Sequence, residues 1–246
     1  MRLTRIFTGK ALAESATVEL EARNNHYLIH VLRVKQGQAL QLFNGNGQEF
    51  NAHVDALRRK SVRVLITEEV SPTVVESPLH TNLGIAISKG DRMDWVIQKA
   101  TELGVNVIQP LVTERVDVKL NAERREKKLA HWQSTLISAC EQSGRRVLPL
   151  LQPLTSIDEW LSNDNSDCKL LLRAKADSFE QVKSHFTSTP QSASIIIGPE
   201  GGLSSKEITA AVAQGYHPVG FGSRVLRTET APIVALSILQ ASWGDF

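Results

Sequence analysis

The chain contains only two cysteines, Cys140 and Cys168, among its 246 residues. Two thiols are too few for a disulfide framework or for a cysteine-rich zinc site. The sequence also lacks any apolar run near the roughly 20 residues of a membrane-spanning helix, and its first residues lack the apolar core of a signal peptide. We therefore expect a cytoplasmic protein that is not held in a membrane.

Two common nucleotide-binding signatures are missing as well. The sequence has no G-x-x-x-x-G-K-[ST] phosphate loop and no G-x-G-x-x-G fingerprint, which argues against a nicotinamide dehydrogenase. No serine-hydrolase arrangement can be read either. His26 and His30 are four residues apart, but no nearby carboxylate or cysteine completes a metal site, and we expect no bound metal.

The net charge of +2 excludes a histone-like coat of positive charge, although a local patch can still bind RNA. Residues 1–72 carry ten lysines and arginines against seven aspartates and glutamates, whereas residues 73–246 carry eighteen against nineteen. The basic N-terminal part is either an ordinary solvated face or an RNA contact. For an RNA contact, we expect the leading phosphate ligands to be Arg2, Arg5, Arg23 and Arg33.

Residues 1–72 are predicted to form a small β-rich domain. Four segments alternate between apolar and polar residues as strands do, namely 17–20, 39–43, 49–54 and 61–66. The run Asn44-Gly45-Asn46-Gly47 favours a tight hairpin turn between two of these strands. Residues 26–32 indicate one helical turn, and the stretch 70–78, which contains two prolines, is typical of a linker.

After residue 73 the pattern changes to strands that alternate with helices, which predicts a parallel α/β sheet. The strands are largely apolar runs, as expected where a sheet is buried on both faces, and they span 82–88, 105–112, 169–172, 194–197 and 218–221. Capping residues or a first-turn proline precede apolar stripes and predict helix starts near Asp91, Asn121, Ser156, Ser204 and Pro232.

The densest candidate for a binding site is Gly198-Pro199-Glu200-Gly201-Gly202, directly between a predicted buried strand and a capped helix. Glycines let the backbone approach a ligand closely, and loops at the carboxyl ends of parallel strands bind small molecules. The alternative is a tight strand-to-helix turn without a ligand.

Two further polar segments lie next to predicted helices. Residues 221–231 place Arg224, Arg227 and Glu229 around an apolar pair, either as part of a site or as a salt-bridged helix entry. Residues 141–146 follow an apolar helix stripe, where Gly144 with its neighbouring arginines can equally be a helix C-cap.

Four segments carry a resemblance to one family through their order and spacing: 89–105 (KGDRMDWVIQKATELGV), 141–145 (EQSGR), 197–202 (IGPEGG) and 222–231 (GSRVLRTETA). Together they resemble the RsmE-type 16S ribosomal RNA uridine N3-methyltransferases of the SPOUT superfamily, and residues 26–34 fit the PUA-like domain of that family. The resemblance covers essentially the whole chain. Two departures are minor: Arg173 stands where the family often has histidine, and Arg146 stands where a smaller residue is common.

The resemblance implies an S-adenosylmethionine-dependent methyltransferase that acts as a homodimer on 16S ribosomal RNA of the small subunit. Residues 1–72 would form a PUA-like β-barrel that binds RNA, and residues 73–246 a SPOUT domain with a parallel sheet and a deep trefoil knot, which is a rare feature. By position, the cofactor-binding residues would be Leu171, Leu172, Ile197, Gly198, Pro199, Glu200, Gly201, Gly202, Phe221, Gly222, Val225, Leu226, Thr230 and Ala231.

The chemistry that the resemblance implies sets the roles of the polar residues. Uracil N3 carries a proton that must leave before the atom becomes nucleophilic. We expect Arg145 and Arg227 to hold the uracil or its phosphate, and Glu229 or Glu102 to accept the proton or to orient a partner. Dimerisation would bring segment 141–145 of one copy beside the glycine loops of the other.

Alternatives remain at this point. The two glutamates can instead serve as a helix-entry carboxylate and a structural ion-pair partner. At the level of the whole chain, the rivals are a non-catalytic RNA-binding or assembly protein that has lost the cofactor, and a methyltransferase that modifies a different RNA base.

Overall fold

The structure is a computed structural model that describes residues 3–71, 75–88, 90–115 and 121–246. It divides into two compact units, of which the first comprises Met1–Glu76 and Cys140–Leu148 and the second comprises Ser77–Ala139 and Pro149–Phe246. The predicted division at residue 72 assigns segment Cys140–Leu148 to the second domain, whereas its contacts assign it to the first unit. The physical reason is that Arg145 and Arg146 in this segment pair with Glu76 and Glu49.

The first unit is built on one five-stranded sheet. Its strands are β1 Thr4–Phe7, β2 Thr17–Glu19, β3 Ala39–Phe43, β4 Glu49–Leu57 and β5 Val62–Glu69. They are ordered β1-β3-β4-β5-β2, and only the β1–β3 pair is parallel. Gly45 and Gly47, between β3 and β4, have φ angles of +84° and +97°, which confirms the Asn-Gly turn. The β-rich module is confirmed, and β1 is an addition to it.

One helical segment packs on this sheet. It consists of α1 Ala22–His26 and a π-helical turn at Tyr27–Val31, and it is longer than the single turn predicted at 26–32. Leu28 is fully buried, and Ile29 and Leu32 pack against the core of the sheet. The predicted linker 70–78 lies partly outside the described residues.

The second unit contains the predicted parallel sheet. Its strands are β6 His80–Ala86, β7 Val107–Val112, β8 Leu150–Leu151, β9 Thr155–Ser156, β10 Cys168–Ser178, β11 Ser192–Ile197 and β12 His217–Gly220. The order is β12-β10-β11-β6-β7-β8 with β9 on β7, and every pairing recorded in it is parallel. All carboxyl ends of these strands therefore meet at one edge of the sheet.

Five of the six helices described in the second part of the chain begin where their capping residues or first-turn proline predict. The six helices are α2 Arg92–Glu102, α3 Ala122–Ser143, α4 Ile157–Asn163, α5 Phe179–Lys183, α6 Ser205–Ala213 and α7 Ala231–Trp243. Ser204 and Glu207 form a complete capping box on α6, and the side chain of Asn121 accepts from the Arg124 amide. Asp91 takes the N-cap position of α2 without a side-chain capping bond. The short helix α5 was not predicted, although Ser178 and Gln181 cap it.

Asp164 connects α4 to the amino ends of the strands. Its carboxylate accepts hydrogen bonds from the Ser166, Ser194 and Tyr216 hydroxyls and from the Ser166 amide. Burial alone would raise the pKa of Asp164, but these hydrogen bonds outweigh it and hold the pKa below its usual value. The ionised carboxylate therefore stabilises the fold at neutral pH.

We expect Asp164→Asn to lower the free energy of unfolding at pH 7 by about 1–3 kcal/mol, because it upsets a buried hydrogen-bond network. Since the folded-state pKa is depressed, the parent chain loses this stabilisation as the pH falls below the usual aspartate range and through the folded pKa. Denaturant titrations at pH 7 and pH 3 should show the two chains converging. A difference that stays constant between these pH values would contradict the account.

Candidate functional site

A cleft of about 840 Å³ opens in the second unit at the carboxyl ends of β11 and β12 and beside the middle of β10. The loops that follow β11 and β12 form most of its wall, and β10 contributes a third stretch. A volume of this size falls in the range of small-molecule sites, roughly 300–1,000 Å³. The predicted residues that line the cleft are Leu171, Leu172, Ile197, Gly198, Pro199, Glu200, Gly202, Phe221, Gly222, Val225, Leu226, Arg227, Glu229 and Ala231.

Glycine is favoured in the two loops for two different physical reasons. A Cβ on Gly198 would lie 3.1 Å from Leu203 Cγ and 3.2 Å from the Leu203 amide nitrogen, which are tight contacts that Leu203 must relieve by a shift of a few tenths of an ångström. Gly222 has open space around it but a φ of +88°, which a side chain disfavours. Gly201 has neither constraint, since its Cβ would meet Arg115 at an ordinary 3.6 Å. The wall of the cleft thus depends on glycine at two of these three positions.

Apolar side chains line part of the cleft. Leu171, where the pairing of β10 with β11 ends, and Ile197, the last residue of β11, are buried, whereas Val225 is 84% exposed. Large apolar side chains that remain this exposed, next to polar groups in a concave surface, are typical of ligand sites. The cleft therefore suits a ligand that has both apolar and polar parts.

Charged side chains surround the mouth of the cleft. Among the described residues, five arginines line it together with Glu200 and Glu229: Arg92, Arg115, Arg173, Arg224 and Arg227. Cations in excess of carboxylates favour an anionic partner such as RNA.

Glu229 lies between two of these arginines. Its Oε2 atom is 3.7 Å from Arg92 Nε and accepts from the Thr228 hydroxyl at 3.3 Å, while its Oε1 atom is 3.9 Å from Arg227 Nη1. Arg92 also donates to Glu200. The side chain of Arg227 is 81% exposed, so it can reach a substrate at the mouth of the cleft. The structure thus brings Arg227 and Glu229, two of the predicted site residues, together in the cleft.

Two arginines of the cleft, Arg92 and Arg115, were not predicted from the sequence. Arg92 lies in the first turn of α2, and Arg115 donates to the Gly201 carbonyl at 2.9 Å. Arg92 directly follows the predicted N-cap residue Asp91, which places it at the start of a helix. The apolar stripe of that helix indicates only which residues face the core. Arg173, which departs from the family pattern, also lines the cleft.

Four predicted site residues do not line the cleft: Gly201, Thr230, Arg145 and Glu102. Arg145 is buried in the first unit, where its guanidinium pairs with Glu76. Glu102 pairs with Lys99 at 2.8 Å, and it lies about 15 Å along α2 from Arg92. Within one chain these two residues therefore act as ion-pair partners, and a contribution from a second copy stays a prediction.

The arginines predicted to contact phosphate also have different environments. Arg5 is buried, and its nitrogens donate to Glu49 Oε1 and to the carbonyls of Cys140 and Arg145, so it is a structural residue and not the predicted phosphate contact. Arg23 is partly exposed and pairs with Glu141 at 3.3 Å. Arg33 is exposed, and Arg2 lies outside the described residues.

An exposed cationic tip in the first unit was not predicted. Arg58, Arg59 and Lys60 form the turn between β4 and β5, and all three are exposed. The Arg58 amide donates to the Ser61 carbonyl at 2.9 Å, which closes this turn. The excess positive charge of residues 1–72 thus reaches the surface here and at Arg33.

Other classes of site find little support. Both cysteines are buried, and burial raises the pKa of each thiol to about 12, so neither is a ready nucleophile. Three or more potential metal ligands do not cluster anywhere in the described part of the chain. Among the described helices, none combines the length and apolar character that crossing a membrane requires.

The fold, the cleft and the family models together give the class of protein, an RNA methyltransferase with a PUA domain. Residues 75–240 match the family model for an RNA methyltransferase domain, and residues 20–67 match that for an RNA methyltransferase PUA domain. Ribosomal RNA small subunit methyltransferase E of Buchnera aphidicola (Acyrthosiphon pisum) is 32% identical over 100% of this chain and 96% of its own length. The Bacillus subtilis protein of the same name is 29% identical over 94% of this chain and 93% of its own length.

Two solved structures cover the whole chain. A methyltransferase from Legionella pneumophila, in complex with bound SAM, is 40% identical with a TM-score of 0.95 over 100% of both chains. Ribosomal RNA small subunit methyltransferase E from Neisseria gonorrhoeae, bound to S-adenosyl methionine, is 36% identical with a TM-score of 0.90 over 100% of both chains. The chain therefore belongs to the ribosomal RNA small subunit methyltransferase E family. The predicted fold class is confirmed, and the trefoil knot stays a prediction.

Proposed function

We propose that this chain transfers the methyl group of S-adenosylmethionine to N3 of a specific uridine in 16S ribosomal RNA. Membership of the family gives the class of reaction, a methyl transfer to small-subunit ribosomal RNA. The single observation that supports the site is the juxtaposition of glycine loops, apolar side chains and the Arg227–Glu229 pair in one cleft.

The cleft residues fit the proposed cofactor. The cofactor can approach the backbone of the loops after β11 and β12 closely, because Gly198, Gly202 and Gly222 carry no side chain. Leu171, Leu172, Val225 and Leu226 offer apolar contacts to the adenine ring and the methionine chain. When bound, S-adenosylmethionine supplies a methyl group on a positively charged sulfur, and positioning the acceptor in line with it provides much of the rate.

The polar residues prepare the acceptor. We assign to Arg227 the stabilisation of negative charge on the ring oxygens as the N3 proton leaves. Glu229 Oε1 would accept that proton, because Oε2 already receives the Thr228 hydroxyl and faces Arg92. Arg92 would act as a positioning residue that fixes the Glu229 carboxylate. These groups require no metal.

The partners follow from the same proposal. We infer a homodimer in which segment 141–145 of a second copy completes the site, and this would give Arg145 or Glu102 a role that one chain does not provide. The substrate would be 16S ribosomal RNA within the small subunit, and the enzyme would work in the cytoplasm, where ribosomes are assembled.

We expect Arg227→Ala to slow single-turnover methylation by about a hundredfold or more while cofactor affinity stays unchanged, because the contact acts on transition-state charge. The assay is methyl transfer to small subunits from a strain that lacks the enzyme, with calorimetry for the cofactor. Lys206→Ala, which removes an exposed cation outside the cleft lining, is the matched control and should be near normal. Near-normal turnover of Arg227→Ala would remove that residue from the mechanism.

Two measurements separate the rival functions. Stoichiometric binding of S-adenosylmethionine would exclude a non-catalytic RNA-binding protein that has lost the cofactor. Mapping of methylated nucleotides in 16S ribosomal RNA from deleted and complemented strains would identify the base. A missing modification at any position other than uracil N3 would overturn the proposed specificity.

A further inference from the structure

The helical segment of the first unit has an exposed face of unusual composition. While its inner face packs into the core through Leu28, its outer face carries six exposed side chains, which we call the helical stripe: Arg23, His26, Tyr27, His30, Val31 and Arg33. Tyr27 is 39% exposed and Val31 is 60% exposed. An amphipathic helix normally places polar groups on its outer face, so the exposed Tyr27 and Val31 are not explained by folding alone.

Two rings of the helical stripe lie against each other at a tilt of 49°. His26 and His30 lie one turn apart, with ring centroids separated by 5.0 Å. Tyr27 and Val31 form a parallel column beside them, because the π-helical turn keeps residues four apart on nearly the same face. Flat rings of this kind stack with unpaired bases, for which tyrosine and histidine are both suitable partners.

The charge around the helical stripe favours RNA over a protein partner. Residues 22–48 contain three arginines and lysines and no aspartate or glutamate. Arg33 lies directly after the π-helical turn, exposed, with a φ of +50° that is costly for a side chain. Lys35 follows it on the surface. Exposed rings flanked by cations are the combination by which proteins bind single-stranded nucleic acid.

We propose that the helical stripe binds an unpaired segment of the ribosomal RNA, with Tyr27, His26 and His30 stacking on bases and Arg33 contacting a phosphate. The proposal rests on the proposed function for the identity of the RNA, and it names the surface through which the first unit holds that substrate. It replaces Arg5, which is buried, as the leading contact of this unit.

The test compares Tyr27→Leu with Tyr27→Phe in the full chain, using a fluorescein-labelled oligouridine of about 12 nucleotides as the probe. Leucine keeps an apolar side chain but cannot stack, whereas phenylalanine keeps the ring. We expect Tyr27→Leu to weaken binding about fivefold to a hundredfold, and Tyr27→Phe to stay near the parent value. Equal affinities for the parent and Tyr27→Leu would overturn the proposal.

Arg33→Gly tests the phosphate contact. Glycine tolerates the positive φ, so the variant should be at least as stable as the parent, yet bind the oligouridine more weakly. The slope of log K against log salt should become shallower by about 0.7 for one lost phosphate contact. Arg63→Gln is the charge-matched control, because Arg63 already pairs with Asp55 at 2.7 Å, and its salt slope should be unchanged.

The remaining outcomes distinguish a failure of this proposal from a failure of the proposed function. If Tyr27→Leu leaves oligouridine binding intact but changes the sedimentation of the chain, the helical stripe is a surface between copies and the proposal is overturned. Cofactor binding by calorimetry should be the same in all variants. A parent chain that binds cofactor and oligouridine but methylates no ribosomal RNA would refute the proposed function, while the oligouridine titrations would still decide on the helical stripe.

Discussion

A valine in place of Gly198 is expected to lower the affinity for S-adenosylmethionine by about a hundredfold or more, which corresponds to roughly 2.7 kcal/mol. Gly198 follows β11 directly, at the carboxyl edge of the parallel sheet. Even a single added carbon would lie 3.2 Å from the Leu203 amide nitrogen, and valine adds two further methyl groups. Relief requires the loop between Gly198 and Leu203 to move.

The movement affects the site because this loop is a wall of the cleft. Pro199, Glu200 and Gly202 all line it, and the Gly202 amide donates to the Pro199 carbonyl at 2.8 Å to fix the turn. The sheet beneath is anchored by buried strands on both sides of β11, so we expect the chain to stay folded. The loss should therefore appear in ligand binding and not in secondary structure.

Gly201→Ala in the same loop is the matched control. Its Cβ would meet Arg115 at an ordinary 3.6 Å, and Gly201 does not line the cleft, so affinity should stay within about threefold of the parent, a change below roughly 0.7 kcal/mol. Isothermal calorimetry measures the affinities, and circular dichroism confirms that each variant is folded. A folded Gly198→Val variant with parental affinity would show that the loop tolerates a side chain.

The loops that wall the cleft could be predicted from sequence because their signals are local. Each follows an apolar strand, and each contains glycine where backbone must come close or adopt a positive φ. Arg92 could not be assigned in this way. It is 108 positions before its partner Glu200, and helical periodicity shows only which residues face the core. The order of strands in the sheet decides which loop lies next to the start of α2, and therefore which residue Arg92 can pair with.

In the first unit, prediction from sequence is limited in a different way, because a count of charged residues does not show which of them are buried. Arg5 was expected at the surface, yet it lies inside a strand, next to the fully buried Ile6. Its position depends on Glu49, which is 44 residues later at the start of β4. The same dependence hid strand β1, because an arginine at this position interrupts the apolar alternation by which strands are recognised.

Glu49→Gln is expected to lower the free energy of unfolding of the first unit by about 3–5 kcal/mol, the usual effect of removing one partner from a buried ion pair. Glu49 is only 3% exposed and serves two cations, with Oε1 at 2.5 Å from Arg5 Nε and Oε2 at 2.9 Å from Arg146 Nη2. Glutamine keeps the shape but removes the charge, which leaves two guanidinium groups in a buried place without an opposing carboxylate.

The other bonds of these arginines show what the loss would disturb. Arg146 donates to the carbonyls of Val70 and Ser71, and Arg5 donates to that of Cys140, so Glu49 joins β1 and β4 to segment Cys140–Leu148. Faster amide exchange should therefore appear in these three places first. Urea denaturation followed by hydrogen exchange with mass spectrometry measures both the size and the location of the loss.

Asp55→Asn is the matched control for Glu49→Gln. It removes a carboxylate from the same sheet, but the Arg63–Asp55 pair is exposed to solvent, with 48% and 34% of the two side chains accessible, and should contribute only about 0–1 kcal/mol. If Glu49→Gln costs no more than Asp55→Asn, water or a neighbouring carbonyl satisfies both guanidinium groups, and the buried carboxylate does not hold the segment. A loss several times larger, confined to β1, β4 and segment Cys140–Leu148, would establish that Glu49 is what attaches this segment to the first unit.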